Sequence, residues 1–166
     1  MNTMEYTHII HPFEPVYNSE SQILILGSLP SVKSRENQFY YGHPQNRFWK
    51  VIANVLNVPV PETIEEKKSL LLENNIALWD VIYECDIAGS SDSSIKNVVT
   101  CDIASIINKT KIKKVFCNGQ TAGKLYKKFI FPQTKFEAEI LPSTSPANAV
   151  WTLEKLVESW KKILVN

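Results

Sequence analysis

Four short apolar segments, separated by stretches of helical character, constrain the fold of this chain more than any other feature. They are "QILILGS" at 22–28, "IALWDVI" at 76–82, "KKVFCNG" at 113–119 and "KFEAEIL" at 135–141. Short apolar runs that end at turn residues such as glycine are typical of buried strands. Strands that alternate with helices usually pair in parallel through right-handed crossovers. The order therefore predicts an α/β fold in which helices cover both faces of a mostly parallel sheet.

Five helices are predicted from capping residues and from apolar residues at helical spacing. They are expected to begin near Pro44, at Thr63 with a capping box, after Asp102, at Gln120, and after Ser145 with Pro146 in the first position. Residues 83–101 have a loop-like composition. Residues 1–20 are expected to form an irregular arm, and residues 21–166 a single domain.

The bulk composition excludes several classes of protein. The 166 residues fit one domain, and no apolar run approaches the roughly 18 residues of a membrane span. The N-terminus lacks the features of a secretory signal, so we expect a cytoplasmic protein. It is also expected to be a monomer and not to bind membranes. Cys85, Cys101 and Cys117 lack the spacing of metal ligands and are expected to be buried thiols. No dinucleotide or P-loop motif occurs, and no cofactor or metal is predicted.

Parallel strands bring their carboxyl-terminal loops to one edge of the sheet, where ligands bind. The segments expected to meet there are 27–46, 79–94, 118–121 and 142–148. Helix starts near Pro44 and Pro146 would face this cleft and attract anions. The hydroxyls of the "LPSTSPAN" segment suit phosphate oxygens, although a plain helix cap explains them equally well.

Aromatic and amide side chains crowd the first of these loops. One of Phe39, Tyr40 and Tyr41 could stack on a flat ligand such as a nucleobase. For any single ring of the three, a structural role in fixing the loop to the core is favoured. The loop thus has the composition of a binding surface, but composition does not decide which ring would serve.

Several polar residues of the predicted cleft have two interpretations each. Asn46 is expected in the first turn of its helix, where its carbonyl could orient a water molecule and its amide could bind a base edge. His43 could cap the helix, donate to a leaving group or contact a phosphate. Asp80 and Asn118 each end a strand, where a ligand contact and a purely structural hydrogen bond are both consistent with the sequence.

Four ordered motifs together resemble the uracil-DNA glycosylase superfamily, and in particular its hypoxanthine-DNA glycosylase branch. They are "GSLPS…QFYYGHPQNRFW", "ALWDVI…CDIAGSSDSSI", "VFCNGQTA" and "LPSTSPANA", and the resemblance spans about residues 22–163. It implies a three-layer α/β/α sandwich around a four-stranded parallel sheet. It also implies a monofunctional enzyme that flips a deaminated base out of DNA and hydrolyses its N-glycosidic bond without a metal.

The resemblance also implies roles for individual residues. The first motif of the superfamily, which corresponds here to residues 27–30, usually carries a catalytic Asp or Asn, whereas Ser28 is the only polar side chain in these four residues. In the hypoxanthine branch the catalytic asparagine lies in the "HPxNxFW" segment, which matches Asn46, with His43 assisting the departing base. The implied base pocket comprises Gly27, Ser28, Leu29, Pro30, Phe39, Tyr40, Tyr41, Trp79, Asp80 and Asn118. The implied DNA contacts are Ser143, Thr144, Ser145, Pro146 and Asn148.

Three other functions remain open at this point. The enzyme could prefer uracil, because hypoxanthine and uracil present similar amide-like edges. A non-catalytic DNA-binding protein of the same fold is favoured slightly by Ser28 and opposed by Asn46. A flavodoxin-like protein that binds a free nucleotide would need only the hydroxyls and helix end of the last motif.

Overall fold

The computed structural model describes residues 5–89 and 91–164, which contain seven strands and seven α-helical segments. The strands are β1 (Thr7–Ile10), β2 (Ile23–Gly27), β3 (Ile76–Asp80), β4 (Ile82–Ile87), β5 (Lys96–Thr100), β6 (Lys114–Asn118) and β7 (Ala138–Leu141). The helices are α1 (Val32–Asn37), α2 (Phe48–Leu56), α3 (Ile64–Glu73), α4 (Ile103–Lys109), α5 (Gln120–Leu125), α6 (Phe131–Thr134) and α7 (Leu153–Trp160). A π-helical turn at Tyr126–Ile130 joins α5 to α6.

The central sheet has the strand order β3-β2-β6-β7, and every neighbouring pair is parallel. The prediction of an α/β fold with a four-stranded parallel sheet is confirmed. Three of the predicted strands correspond to β2, β3 and β6. The fourth begins at Ala138 rather than at residue 135, because Lys135 adopts a left-handed conformation that closes α6.

Alternate residues of the central strand β2 enter two different layers of the core. Ile23 and Ile25 pack on the face that carries α2 and α7. Leu24 and Leu26 pack on the opposite face, which carries α4 and the helix that begins with α5. Because all four side chains are buried, the strand reads as a continuous apolar run, which is the pattern expected of a parallel sheet covered on both sides.

A second, antiparallel sheet of order β1-β4-β5 contradicts two expectations. Residues 83–101 are not a loop, since they contain β4 and β5. The segment 1–20 is not irregular throughout, because β1 pairs with β4, placing Ile9 opposite Cys85. Residues 1–4 of that predicted arm lie outside the described residues. Register shifts interrupt the β4–β5 pairing, and such bulges hide the alternation by which strands are recognised in a sequence.

Two helix starts are also wrong as predicted. The helix expected near Pro44 begins at Phe48, and the one expected at Pro146 begins at Leu153, where Thr152 accepts a hydrogen bond from the Lys155 N–H. Both prolines lie in turns instead. The capping box at Thr63 and the Asp102 cap are confirmed by their hydrogen bonds. Helix α1 was not predicted.

The three cysteines are buried free thiols, as expected from their spacing. Burial raises the pKa of the Cys117 thiol to about 12. Across residues 5–89 and 91–164, every helix is too short or too polar to cross a lipid bilayer. In the same part of the chain, no cluster of His, Cys, Asp and Glu side chains is arranged to hold a metal ion.

An exposed histidine on the antiparallel sheet makes stability depend on pH. His8 Nδ1 lies 2.7 Å from an Asp86 oxygen and His8 Nε2 lies 2.9 Å from a Glu84 oxygen. The hydrogen bond to Asp86, followed by the one to Glu84, raises the His8 pKa above its ordinary value of 6.5. A raised pKa stabilises the fold below the unfolded-state pKa, and this contribution is lost as pH rises through the folded-state pKa.

We therefore expect the free energy of unfolding of the wild type, relative to His8→Gln, to decrease from pH 6 to pH 8. Urea unfolding at a series of pH values measures this difference, and NMR titration of the His8 ring gives the pKa directly. A constant difference between the two proteins over this range would contradict the prediction.

Candidate active site

A cleft of about 510 Å³ lies at the carboxyl ends of the central strands, where the sequence placed it. Most of the predicted site residues line it. They are Gly27, Ser28, Leu29, Pro30, Tyr40, Tyr41, His43, Asn46, Asp80, Asn118, Ser143, Thr144, Ser145 and Pro146. Strand β4 and the segment that connects it to β5 add Ile87, Gly89 and Asp92 to the wall. The antiparallel sheet, which the sequence analysis missed, therefore forms one side of the cleft.

Two of the aromatic residues expected to line the cleft belong to the core instead. Phe39 is buried and stacks on Trp49, with 6.1 Å between ring centroids. Trp79 is half-buried and packs against the hydrophobic core on both faces of the central sheet. The ring of Tyr40 is also buried, and its hydroxyl donates to the Glu14 carbonyl at 2.9 Å. The rings of Phe39 and Tyr40 are therefore not free to stack on a ligand, and Trp79 does not line the cleft.

Tyr41 differs from its neighbours because its hydroxyl reaches the floor of the cleft. Its ring stacks on Phe48 with 4.0 Å between centroids, which fixes the side chain. The hydroxyl oxygen is buried beside the Asn118 side chain, and no described residue accepts its hydrogen. Burial, followed by the nearby Asp80 carboxylate, raises the Tyr41 pKa above its ordinary value of 10. The hydroxyl therefore keeps its hydrogen, which points to no acceptor among the described residues.

Asn46 occupies the turn before α2 and ends a chain of hydrogen bonds that crosses the cleft. Asn118 Nδ2 donates to the Thr144 hydroxyl at 3.0 Å, and that hydroxyl donates to Asn46 Oδ1 at 2.9 Å. The Phe48 N–H also donates to Asn46 Oδ1, at 2.9 Å. Because an N–H can only donate, this contact fixes the Asn46 amide with its oxygen towards Phe48 and Thr144.

The hydrogen-bond chain determines which group of Asn46 is free. A carbonyl oxygen has two lone pairs, and both of those on Asn46 Oδ1 are occupied. No described residue accepts a hydrogen bond from Asn46 Nδ2, so the amide hydrogens remain for a ligand or a water molecule. The carbonyl oxygen, which the sequence analysis expected to orient a water molecule, is thus already occupied, and the amide nitrogen is the free group.

Thr144 does not present a hydroxyl to solvent, contrary to the expectation of a phosphate contact. It is 0% exposed. Its hydroxyl is engaged by Asn118 and Asn46, and its backbone N–H donates to Asn118 Oδ1 at 3.0 Å. Thr144 thus orients the side chains of Asn118 and Asn46. The sequence did not indicate this role, because Thr144 lies between two serines and was grouped with them.

The serines on either side of Thr144 form a pair of tight turns. Ser143 Oγ accepts from the Ser145 N–H at 3.1 Å, and Ser145 Oγ accepts from the Ala147 N–H at 3.2 Å. Each hydroxyl hydrogen remains available to an external acceptor. Asn148 donates to the Ser143 carbonyl and lines the adjoining groove rather than the main cleft.

Arg47, which the sequence analysis did not identify as a site residue, holds the loop at residues 142–152 in place. Its guanidinium donates to the carbonyl oxygens of Ser145, Asn148 and Trp151. Its backbone N–H donates to the Thr144 carbonyl at 3.1 Å. The residue next to Asn46 thus anchors the whole segment that follows β7. In the sequence, Arg47 is visible only as an arginine next to the candidate catalytic residue Asn46. That position alone does not indicate which groups Arg47 contacts.

His43 lines the cleft, and its ring orientation follows from one contact. The Gln45 N–H donates to His43 Nδ1 at 3.1 Å. In the neutral ring the hydrogen is therefore on Nε2, which makes Nε2 a donor.

Asp80, another predicted site residue, is buried, and its Oδ2 lies 2.7 Å from His11 Nε2. His11 lies in the segment expected to be an irregular arm and was not predicted as a site residue.

Comparisons with known proteins identify the family and agree with the fold. Residues 14–164 match the model of the family described as the uracil DNA glycosylase superfamily. Proteins named "Hypoxanthine DNA glycosylase" from Methanosarcina acetivorans and Methanosarcina barkeri are 36% and 33% identical over 138 residues, 82% of this chain and 86% of each relative. A solution NMR structure from Methanosarcina acetivorans, named "putative Uracil DNA glycosylase", superposes with a TM-score of 0.77 at 30% identity. The match covers 92% of this chain and 97% of that chain.

Proposed function

This chain belongs to the uracil DNA glycosylase superfamily, and we propose that it is a monofunctional DNA glycosylase that releases hypoxanthine from deoxyinosine. Uracil and xanthine are the expected side substrates. Relatives named for hypoxanthine, at 33–36% identity over most of the chain, support this choice of base. The enzyme is expected to act as a cytoplasmic monomer on DNA, without a metal or cofactor.

The observation that carries the proposal is the hydrogen-bond chain from Asn118 through Thr144 to Asn46. A base inside a duplex has to be extruded before its glycosidic bond can be reached, at a cost of a few kcal/mol. The cleft at the end of the sheet receives the extruded base. The hydrogen-bond chain then fixes one amide group, on Asn46, at the wall of this cleft.

The chemical step separates charge. When the N-glycosidic bond breaks, the sugar becomes an oxocarbenium ion and the base leaves as an anion. Water then adds to the sugar carbon, and its proton passes to the released base or to solvent. A neutral water is sufficient to capture such a cation, so a residue that places the water serves better than a strong base.

Asn46 takes this role through its amide nitrogen. Asn46 Nδ2 donates to the water oxygen, which leaves the second lone pair of the water directed at the sugar. His43 Nε2–H donates to the departing base and stabilises the developing anion. The tautomer of His43 is supported by the Gln45 contact. Neither residue has to change its charge during the reaction.

The DNA backbone is bound by the hydroxyls of Ser143 and Ser145. A donor to a charged phosphate contributes about 1.5–3 kcal/mol. We therefore expect Ser143→Ala and Ser145→Ala each to weaken DNA binding by about tenfold or more, with a smaller effect on the rate of base release from saturated enzyme. Fluorescence anisotropy with a labelled duplex measures the affinity, and Ser69→Ala on the exposed surface of α3 is the control. An effect confined to turnover would contradict this assignment.

A strand-cleavage assay tests the proposal as a whole. Labelled duplexes that contain one deoxyinosine, uracil, xanthine or mismatched thymine are incubated with the protein and treated with alkali, which breaks DNA at abasic sites. Breaks at deoxyinosine, faster than at uracil, are the expected result. Faster release of uracil would make the enzyme uracil-preferring. Bound DNA without breaks would indicate a non-catalytic DNA-binding protein and would implicate Ser28.

A further inference from the structure

A buried pair of side chains at the floor of the cleft has no part in the steps described above. His11 Nε2 lies 2.7 Å from Asp80 Oδ2, and His11 Nδ1 lies 2.8 Å from the Phe13 carbonyl oxygen. The two side chains are 1% and 5% exposed. The pair joins the segment after β1 to the end of β3, two elements that belong to different sheets.

The hydrogens of this pair can be assigned from the partners alone. The Phe13 carbonyl oxygen only accepts, so His11 Nδ1 carries a hydrogen. The contact between Nε2 and Oδ2 then requires one further proton. This proton is either on His11, which is then an imidazolium facing a carboxylate, or on Asp80 Oδ2. In both states it lies between the two groups, and Asp80 Oδ1 is an acceptor only.

Asp80 Oδ1 and the Tyr41 hydroxyl are neighbours over Gly27. A Cβ atom at Gly27 would lie 2.5 Å from Asp80 Oδ1 and 2.9 Å from the Tyr41 hydroxyl oxygen. Only glycine leaves room for both oxygens. The Tyr41 hydroxyl has no acceptor in the described part of the chain and retains its hydrogen. The floor of the cleft therefore presents an acceptor beside a donor.

This pattern matches the chemical mark that deamination leaves on a base. Hypoxanthine and xanthine carry N1–H beside the carbonyl O6, and uracil carries N3–H beside O4. Adenine and cytosine present the reverse at these positions, a ring nitrogen that accepts and an amino group that donates. A buried group that meets a base of the reverse pattern loses its hydrogen bond and is left unsatisfied.

We infer that Asp80 Oδ1 accepts the ring N–H of the flipped base while the Tyr41 hydroxyl donates to the adjacent carbonyl oxygen, and that His11 is a positioning residue that keeps Oδ1 free of hydrogen. This inference rests on the proposed glycosylase function. It accounts for rejection of adenine and cytosine. Guanine and thymine carry the same N–H and carbonyl, so their rejection depends on the shape of the cleft.

Free bases, used as inhibitors of deoxyinosine cleavage by the unchanged enzyme, test these two inferred hydrogen bonds to the base. In the wild type, hypoxanthine should inhibit at concentrations at least about tenfold lower than adenine does. The same difference is expected for 1-methylhypoxanthine, in which a methyl group replaces the N1 hydrogen. Equal inhibition by hypoxanthine and 1-methylhypoxanthine would overturn the inference.

Two variants separate the role of His11 from that of Asp80. In Asp80→Asn, neutral His11 Nε2 accepts from the new amide nitrogen and turns the amide oxygen towards the cleft. This variant should be slower than the wild type but should still be inhibited preferentially by hypoxanthine over adenine. In His11→Leu/Asp80→Asn the amide is free to rotate, and the preference should fall to about threefold or less.

The results distinguish the inference from the function on which it rests. Thermal unfolding of each variant establishes that the protein is folded at the assay temperature. If the wild type releases hypoxanthine and the double variant keeps the wild-type preference over adenine, the role of His11 is refuted and the glycosylase stands. If the wild type releases no base from any lesion, the proposed function fails and this inference fails with it.

Discussion

Replacing Asn46 by alanine should lower the single-turnover rate of base release by at least about a hundredfold, equivalent to roughly 2.7 kcal/mol of barrier. The reason is that Asn46 Nδ2 is the group left free after the side-chain oxygen has accepted from Phe48 and Thr144. DNA affinity should be nearly unchanged, because the proposed phosphate contacts lie on other residues. Rates are measured with enzyme in excess over a deoxyinosine duplex, and affinity by anisotropy.

Asn46→Asp is the matched control, because it keeps the size of the side chain and removes its donors. If Asn46 works through its amide nitrogen, the aspartate variant should be as slow as the alanine variant. If it works through its oxygen, the carboxylate should retain most of the activity. Full activity in Asn46→Ala would refute the assignment of Asn46 altogether.

Thr144→Val should lower the rate of base release by about tenfold or more, although Thr144 does not contact the substrate in the proposed mechanism. Valine has nearly the same shape but lacks the hydroxyl that links Asn118 to Asn46. The Asn46 amide would then lose one of the two contacts that fix its orientation. The same substitution leaves Asn118 Nδ2 without its partner, which should reduce the free energy of unfolding by about 1–3 kcal/mol.

Thr144→Ser, which keeps the hydroxyl, is the control and should retain both activity and stability far better than Thr144→Val. The double variant Asn46→Ala/Thr144→Val gives the sharper test. If Thr144 acts through Asn46, the double variant should release the base no more slowly than Asn46→Ala alone, since linked residues are not additive. If the fold-decreases in rate of the two single variants multiply in the double variant, Thr144 has a role separate from Asn46.

Much of the central architecture could be predicted because its signals are local. Apolar runs such as that of β2 are buried on both faces, and parallel pairing then brings their carboxyl ends together. The position of the cleft followed from topology alone. The capping residues of α3 and α4 were also predicted correctly, because a cap depends on residues three positions apart.

The errors arose where a distant contact or a competing turn decides the structure. Pro44 is a good first residue for a helix, but the Asn46 side chain bonds the Phe48 N–H and moves the helix start beyond it. His11 becomes a candidate site residue only when β1 pairs with β4 and brings it to Asp80. Nothing near His11 in the sequence indicates a partner so far along the chain.

The hydrogen bonds from the Arg47 guanidinium to three backbone carbonyl oxygens have a consequence for which substrates react fast. Arg47 follows Asn46 directly and holds the loop on which the proposed phosphate contacts lie. In the proposed mechanism, DNA contacts made by that loop would therefore also hold the Asn46 amide in position. Binding energy from parts of the substrate remote from the scissile bond can thus accelerate the chemistry itself. A free nucleoside, which lacks those flanking phosphates, should remain a slow substrate even at concentrations that fill the cleft.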